Sequence, residues 1–184
     1  TADFTDLIYM LAEIEGLERI RFMTSHPKDL SDKLIDAFKN CEKLCKYIHL
    51  PVQAGSDKVL REMNRKYTRE SYLEIVRKLR DAVPEITIST DIIVGFPGET
   101  ESEFEETLQL ASQVGYDSAF TFLYSVRQGT PAAKREDQVP EDIKHERFNR
   151  LVDIINQSSA EKNKAYIGKT LDVLVDGPSR SRSD

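Results

Sequence analysis

Polar and glycine residues gather in four short stretches of this chain, each directly after an apolar run typical of a strand. The stretches are residues 24–27, 53–57, 95–100 and 124–131, and Asp91 lies inside the apolar run before the third. Their hydroxyl, amide, carboxylate and guanidinium groups suit a polar ligand with a sugar part and an amino-acid part. Glycines there permit positive φ and close approach of the backbone to such a ligand. The pattern predicts a ligand site built from four loops, although Gly, Pro and Ser also end strands where no ligand binds.

The three histidines carry weaker signals for catalysis. His26 stands before a proline at a strand end, where it either serves catalysis or simply caps the backbone. His49 falls inside a predicted buried strand and is interpreted as a core residue, whereas His145 falls on a charged helix face. Neither a Ser-His-Asp order nor a zinc-ligand spacing occurs in the sequence. The sequence therefore assigns no catalytic residue.

Apolar residues recur with helical spacing in five segments and with strand character in five others. Helices are predicted at residues 4–14, 31–38, 68–83, 100–114 and 140–155. Strands are predicted at residues 18–23, 47–52, 86–94, 118–124 and 171–175. Ser31 and Thr68 are suitable capping residues for two of the helices, and Thr100 with Glu103 predicts a capping box at a third. The β-branched run at 86–94 is predicted to be the central strand.

This alternation predicts βαβ units and an α/β fold with a parallel sheet. Four strands before the long helix are too few to close a barrel, and no Gly-rich turn of a doubly wound sheet follows the first strand. We therefore predict a partial (βα), TIM-like barrel over residues 1–167. Residues 168–184 are predicted to begin a separate small β module. Parallel α/β folds bind ligands at the C-terminal ends of their strands, where the four polar stretches lie.

Composition limits the classes of function. Hydrophobic residues make up 39% and charged residues 32% of the 184 residues, as in globular proteins. No apolar run approaches the ~20 residues of a membrane span, so no membrane partner is expected. The net charge of −6 argues against holding nucleic acid by bulk electrostatics, so any RNA contact is expected to be local. Two cysteines without a secretory signal favour the cytosol, and the missing initial Met predicts that the natural protein begins upstream.

Five sequence strings together resemble the methylthiotransferases of the radical S-adenosylmethionine (SAM) superfamily. They are HLPVQAGSD at 49–57, MNRKYTR at 63–69, TSHP at 24–27, TDIIVGFPGET at 90–100 and YSVRQGTPAA at 124–133. GFPGET alone indicates only the wider superfamily, whereas the combination covers essentially the whole chain. Ala54 follows Gln53 where the branch that modifies a ribosomal protein tends to carry His. The resemblance therefore favours the branch that modifies tRNA.

The resemblance implies a reaction and its cofactors. An intact member adds a methylthio group to C2 of N6-dimethylallyladenosine beside the tRNA anticodon, with N6-threonylcarbamoyladenosine or a ribosomal protein as the alternative substrate. It uses SAM and two [4Fe–4S] clusters, and its C-terminal TRAM module, expected to begin at residue 168, binds RNA. The cluster ligands are expected upstream, because Cys41 and Cys45 match two positions of a Cys-x-x-x-Cys-x-x-Cys motif but Ile48 occupies the third. We predict that both thiols are structural, that this chain holds no metal and that it is inactive alone.

The resemblance also implies which residues contact the ligands. The residues expected at SAM are Gln53, Ser56, Asp91, Ile93, Gly95, Phe122 and Tyr124. The residues expected at the substrate are Ser25, His26 and Arg127. Ile93 and Gly95 are expected near adenine, to which residues 122–124 would offer backbone groups. Gln53, Ser56 and Asp91 are expected to face the ribose or the methionine carboxylate. The chain departs from the superfamily pattern Gly-x-Ile-x-Gly-x-x-Glu, because Asp91 stands at the first Gly and Glu99 comes one residue late.

Two other classes of function fit parts of the pattern. A non-radical barrel enzyme acting on a phosphorylated metabolite would need a catalytic lysine or a metal triad at the strand ends, and the sequence indicates neither. A binding or assembly protein without catalysis is the second alternative.

An open edge is expected at the predicted first strand, residues 18–23, where Ile20 and Phe22 would lose part of their cover. We expect this edge to be covered by residues 4–14, by a second copy of the chain or by domain exchange. Self-association is therefore one expected property.

Overall fold

The computed structural model describes residues 2–23, 27–175 and 177–178 of the chain. Its helices are α1 (Phe4–Ala12), α2 (Asp32–Asn40), α3 (Asp57–Glu62), α4 (Arg69–Ala82), α5 (Glu101–Val114) and α6 (Glu141–Asn163). Its strands are β1 (Tyr47–His49), β2 (Thr87–Val94) and β3 (Ser118–Leu123). Short 3-10 turns cover Pro27–Asp29, Ala132–Lys134 and Lys164–Tyr166. Helices and strands alternate along the chain, so the predicted α/β class is confirmed.

The strands form a parallel sheet in the order β1-β2-β3, which makes β2 the central strand as its sequence predicts. His49 pairs with Ser89, and Asp91 pairs with Phe120. Pairing continues past β1, because the Leu50 N–H donates to the Ser89 carbonyl (2.8 Å). Three parallel strands alternating with helices form part of a barrel wall, which confirms the predicted partial barrel.

The main core lies between the sheet and the helices on one of its faces. Ile88, Ile92 and Val94 alternate along β2 and are buried against α4 and α5, as period-2 strand geometry requires. Tyr72 of α4 belongs to this core, and its hydroxyl donates to the Leu50 carbonyl (2.8 Å). A hydrogen bond between buried polar groups removes most of the cost of burying them.

Capping side chains set the starts of the helices where they were predicted. Ser31 Oγ accepts from the Leu34 N–H (3.2 Å), and capping boxes begin α4 at Thr68 and α5 at Thr100. The short helix α3 was not predicted, because its six residues, which follow Gly55 and Ser56, are too few to show a helical period.

The predicted strand at residues 18–23 is wrong. This segment makes one isolated parallel bridge, between Ile20 and Leu44, flanked by two backbone hydrogen bonds of 2.7 and 2.9 Å. A single bridged residue does not extend into a ladder, so no strand forms. The Phe22 ring packs edge-on against Phe4 of α1, with 4.9 Å between ring centroids. Helix α1 thus covers part of this edge, which is the arrangement expected for residues 4–14. Self-association stays a prediction.

The predicted strand at residues 171–175 is wrong as well. These residues have no regular secondary structure, and the side chains of Leu171, Val173, Leu174 and Val175 are exposed. A strand needs a neighbour to pair with, and none lies beside this segment in the described part of the chain. The division into residues 1–167 and 168–184 stays a prediction.

Candidate ligand-binding site

The sheet face opposite the main core carries polar and aromatic side chains, and we call it the inner face. Strand register and alternation place on it Tyr47, His49, Ser89, Asp91, Ile93, Phe120 and Phe122. Phe120 and Phe122 are 57% and 50% exposed. Two large apolar rings next to polar groups resemble the wall of a small-molecule site, where apolar surface gives affinity and a few polar groups orient the ligand.

A chain of polar contacts runs across the inner face. The Tyr47 hydroxyl lies 2.7 Å from Ser89 Oγ, which lies 2.9 Å from His49 Nδ1. His49 Nε2 lies 3.4 Å from Asp91 Oδ1. The His49 residue is only 5% exposed, whereas the Asp91 side chain is 29% exposed. The Asp91 carboxylate therefore combines a contact with a buried protein group and partial exposure.

Gln53 has an unusual backbone conformation and joins the site directly to β2. Its φ of 73° is left-handed, a region that costs a non-glycine residue about 1–3 kcal/mol. Its N–H donates to the Asp91 carbonyl and its carbonyl accepts from the Ile93 N–H, both at 2.9 Å. Three of the residues predicted at SAM are thus brought together. Ser56 follows in the same loop, is buried, and makes no side-chain capping bond to α3.

Glu99 closes the turn that follows β2. Its Oε2 accepts from the Gly95 N–H (2.8 Å) and lies 3.3 Å from Arg147 Nη1. Its Oε1 is buried without a hydrogen-bond partner. Burial raises the pKa of Glu99 to about 7, although the nearby Arg147 guanidinium favours the charged form. The carboxyl group therefore holds the turn from inside the protein.

Two basic residues of α6 reach the same region. Lys144 is buried, and its Nζ donates to the Tyr124 carbonyl (3.2 Å). Arg147 Nη1 donates to the Glu99 carbonyl (3.0 Å), and its Nε donates to Glu101 (3.0 Å). Helix α6 thus fastens the loops after β2 and β3 to each other. The sequence analysis missed this role, because nothing in the local pattern of α6 shows which loops its basic residues contact.

Tyr124, directly after β3, already uses its backbone groups within the protein. Its N–H donates to the Val94 carbonyl (2.8 Å), and its carbonyl accepts from Lys144. Its ring packs edge-on against Phe96, with 5.2 Å between centroids. A ligand could use only the second lone pair of the Tyr124 carbonyl. Contact between residues 122–124 and adenine stays a prediction.

The residues predicted at the substrate are only partly described. Arg127 is exposed in the loop after β3, where its carbonyl accepts from the Thr130 hydroxyl (2.8 Å). Ser25 and His26 lie outside the described residues, so their predicted contact with the substrate stays a prediction.

Three loop glycines make room for other parts of the protein. A Cβ at Gly55 would lie 2.4 Å from Thr107 Cα, and one at Gly95 would lie 2.4 Å from Lys144 Cγ. A Cβ at Gly98 would lie 2.2 Å from Arg135 Nη2. The positive φ expected at loop glycines is confirmed at Gly95 and Gly98. The close approach at Gly55 and Gly95 is to other parts of the protein, and not to a ligand as expected from the sequence. A contact between the Gly95 backbone and adenine stays a prediction.

Both cysteines are free thiols. Cys41 is buried within the main core, which agrees with a structural role, and Cys45 is partly buried. Within residues 2–23, 27–175 and 177–178, no three His, Cys, Asp or Glu side chains lie together as a metal site.

A sequence profile described as the radical SAM superfamily matches residues 1–111, more than half of the chain. The chain belongs to the radical SAM superfamily. The match includes five of the seven residues that the sequence predicted at SAM, namely Gln53, Ser56, Asp91, Ile93 and Gly95.

Several named relatives of this radical SAM chain are much longer than it is. The chain is 63% identical over 178 residues to tRNA-2-methylthio-N(6)-dimethylallyladenosine synthase of Clostridium botulinum (strain Langeland), covering 97% of the chain and 40% of the relative. It is 58% identical over 182 residues to the protein of the same name from Alkaliphilus oremlandii, covering 99% and 39%. The chain therefore spans about two fifths of the length of these relatives.

The radical SAM fold is also found in a solved structure. Coproporphyrinogen III oxidase of Escherichia coli, a radical SAM enzyme, superposes with a TM-score of 0.62 at 20% identity, covering 76% of this chain and 32% of that one. At this identity the likeness concerns the fold alone. No helix in the described part of the chain is long and apolar enough to cross a membrane.

The burial expected of His49 as a core residue is confirmed, but the sequence analysis did not place its side chain on the inner face. It is buried, as a core residue would be, but it lies on the inner face and contacts Asp91. The signal was present in the alternation of Tyr47 and His49 with apolar Ile48, which predicts two polar side chains on one face of the strand.

Proposed function

We propose that this chain is part of a tRNA methylthiotransferase that adds a methylthio group to C2 of N6-dimethylallyladenosine next to the anticodon. The observation that carries the proposal is identity of 58–63% to synthases named for this product, together with the radical SAM profile. The alternatives are N6-threonylcarbamoyladenosine and a ribosomal protein as substrate. A cytosolic location follows from a tRNA substrate.

The inner face fits SAM by its chemistry. SAM combines a flat adenine ring, a ribose and a methionine part with a positively charged sulfonium and ammonium group. The exposed rings of Phe120 and Phe122 offer apolar area to a flat ring, and the Asp91 carboxylate suits a ribose hydroxyl or the ammonium group. When bound beside a reduced [4Fe–4S] cluster, SAM supplies radical chemistry to the reaction. Gln53, Ser56, Asp91, Ile93, Gly95, Phe122 and Tyr124 are the residues that we propose to surround it.

The described residues do not fit an iron–sulfur cluster. Cys41 is buried in the core, and no group of three potential ligands is found in the described ranges. We propose that the ligands of both clusters come from the part of the protein that corresponds to the rest of its longer relatives. The contribution of this chain is then to bind and orient SAM and to exclude water from one side of it.

Two further assignments concern tRNA. We propose that residues 168–184 begin an RNA-binding TRAM module, and that Arg127 contacts a phosphate or carboxylate of the substrate. Support for the second comes from its exposure on the loop after β3, at the ligand-binding end of a parallel barrel. Ser25 and His26 are proposed at the same substrate by resemblance alone.

The test uses the full-length protein with its clusters reconstituted under anaerobic conditions. Mass spectrometry of nucleosides should show a methylthio group on tRNA that carries N6-dimethylallyladenosine, and none on tRNA that carries only N6-threonylcarbamoyladenosine. A product on neither tRNA would contradict the proposal, and a product on the second alone would move it to the alternative substrate.

Asp91→Ala tests the SAM site separately. A hydrogen bond to a charged group contributes about 1.5–3 kcal/mol, so SAM affinity should fall roughly ten- to a hundredfold by calorimetry. Asp81→Ala is the matched control, because Asp81 lies on the outer surface of α4 and pairs only with Arg77 among the described residues. Equal affinity of a folded Asp91→Ala variant and the control would remove Asp91 from the proposed site.

A further inference from the structure

His49 contacts Asp91 from below, when the C-terminal end of the sheet is taken as the top. Ser89 and Asp91 lie two residues apart on one face of β2, which separates them by about 6–7 Å along the strand. His49 pairs in register with Ser89, so its imidazole rises from the lower level. Ligands of parallel barrels lie beyond the upper, C-terminal end. His49 therefore contacts the Asp91 carboxylate from the side opposite the ligand.

The polar contacts on the inner face agree with the donors and acceptors that their groups offer. The Asp91 carboxylate only accepts, so its contact with His49 needs the proton on Nε2. His49 Nδ1 shares a hydrogen bond of 2.9 Å with the Ser89 hydroxyl, which shares one of 2.7 Å with the Tyr47 hydroxyl. The Arg21 guanidinium lies 4.2 Å from the centre of the Tyr47 ring and so contacts the residue at the other end of this series. The series of contacts on the inner face thus runs from Tyr47 through Ser89 and His49 to Asp91.

Burial restricts the rotation of the His49 side chain. The residue is almost wholly enclosed, and its ring contacts Phe120 edge-on with 5.9 Å between centroids. Its rotation is limited by Phe120 on one side and by the bond to Ser89 on the other. Asp91, with a partly exposed side chain, would otherwise adopt several rotamers.

We propose that His49 is a positioning residue, whose Nε2–H holds the Asp91 carboxylate in the orientation that meets the ligand. Tyr47 and Ser89 fix the imidazole for this task. The inference rests on the proposed SAM site at Asp91, and adds to it a residue that does not touch SAM itself. A preoriented carboxylate loses less rotational freedom when the ligand binds, so the support increases affinity.

Two substitutions of His49 separate positioning from packing. His49→Gln keeps an N–H donor at the reach of Nε2, whereas His49→Asn has an amide that reaches only the position of Nδ1. Both are polar amides in the same buried place. The measurement is the SAM affinity of the full-length, cluster-reconstituted protein, alone and combined with Asp91→Ala, with the thermal unfolding midpoint of each variant recorded.

We expect His49→Asn to weaken SAM binding roughly three- to tenfold and His49→Gln to change it less than about twofold, as for coupled neighbours. In the Asp91→Ala background, His49→Asn should cause no further loss. The inference would be overturned if both amides lowered SAM affinity equally, if neither lowered it, or if His49→Asn lowered it as much in the Asp91→Ala background as alone. Asp91→Ala by itself tests the SAM site independently of these outcomes. If His49→Asn does not fold, Ser89→Ala replaces it, with the same expected loss and the same contrary outcomes.

Discussion

Lys144 of α6 lies directly over Gly95, the first residue after β2. A Cβ atom at Gly95 would come within 2.4 Å of Lys144 Cγ and 2.9 Å of Cδ. The backbone of Gly95 also has a φ of +78°, which favours glycine. The residue is therefore glycine for two physical reasons, which are its left-handed backbone and the close packing of α6 over the loop beside the candidate site.

Gly95→Ala should lower the free energy of unfolding by roughly 2–4 kcal/mol, from backbone strain and overpacking together. Gly129→Ala is the matched control, because Gly129 has a φ of +84° but no atom within 4 Å of its added Cβ. The control should lose only about 1 kcal/mol. Urea unfolding measures both, and equal losses would show that the Lys144 stem moves aside without cost.

Gly55→Ala should be more damaging, although Gly55 does not have a left-handed backbone. Its Cβ would lie 2.4 Å from Thr107 Cα and 2.5 Å from the Glu106 carbonyl oxygen, and backbone atoms of α5 cannot rotate away. We expect a loss above about 3 kcal/mol, the range of severe overpacking. Gly16→Ala, with a φ of +79° and open space, should lose about 1 kcal/mol. A Gly55→Ala variant as stable as Gly16→Ala would contradict the close packing of this loop on α5.

Glu99→Gln should stabilise the protein at pH 8 but not near pH 4. Because burial raises the Glu99 pKa to about 7 from its ordinary 4.5, the folded state keeps a proton that the unfolded state loses between these values. The carboxyl group therefore costs stability as pH rises through this window, and the full penalty is present above pH 7. Gln cannot ionise, so the gain at pH 8 should be about 1–3 kcal/mol.

Urea unfolding at both pH values checks the Glu99 prediction. Glu101→Gln is the control, because the hydrogen bond from Arg150 lowers the pKa of this largely exposed carboxylate. That control should lose a little stability at pH 8 or stay unchanged. A loss of stability at pH 8 in Glu99→Gln would show that the charged pair with Arg147 outweighs the burial of Glu99.

The isolated chain should not assemble an iron–sulfur cluster. Cys41 is buried, and it and Cys45 lack a third thiolate in the expected position, where Ile48 stands. Anaerobic reconstitution should give no [4Fe–4S] absorption near one cluster per chain, and Cys41→Ser should give the same spectrum. A band in the unaltered chain that disappears in Cys41→Ser would contradict this.

The sequence by itself determined the elements whose cause is local. Ser31, Thr68 and Thr100 predicted the starts of three helices, since a capping side chain bonds backbone groups only three residues away. The β-branched run at 86–94 predicted the central strand, since such residues suit a strand packed on both sides. Each string that carries the radical SAM resemblance is an unbroken stretch of sequence, so it can be recognised without knowledge of the fold.

Tertiary structure alone decided what depends on neighbours far along the chain. Residues 18–23 have strand character but form one bridge, because a strand exists only where a partner extends the ladder. Gly55 and Gly95 accommodate α5 and Lys144, contacts that no local pattern shows. His49 illustrates the physical reason most directly. Strand alternation tells which side chains share a face, but only the packing of β1 on β2 places the His49 imidazole against Asp91.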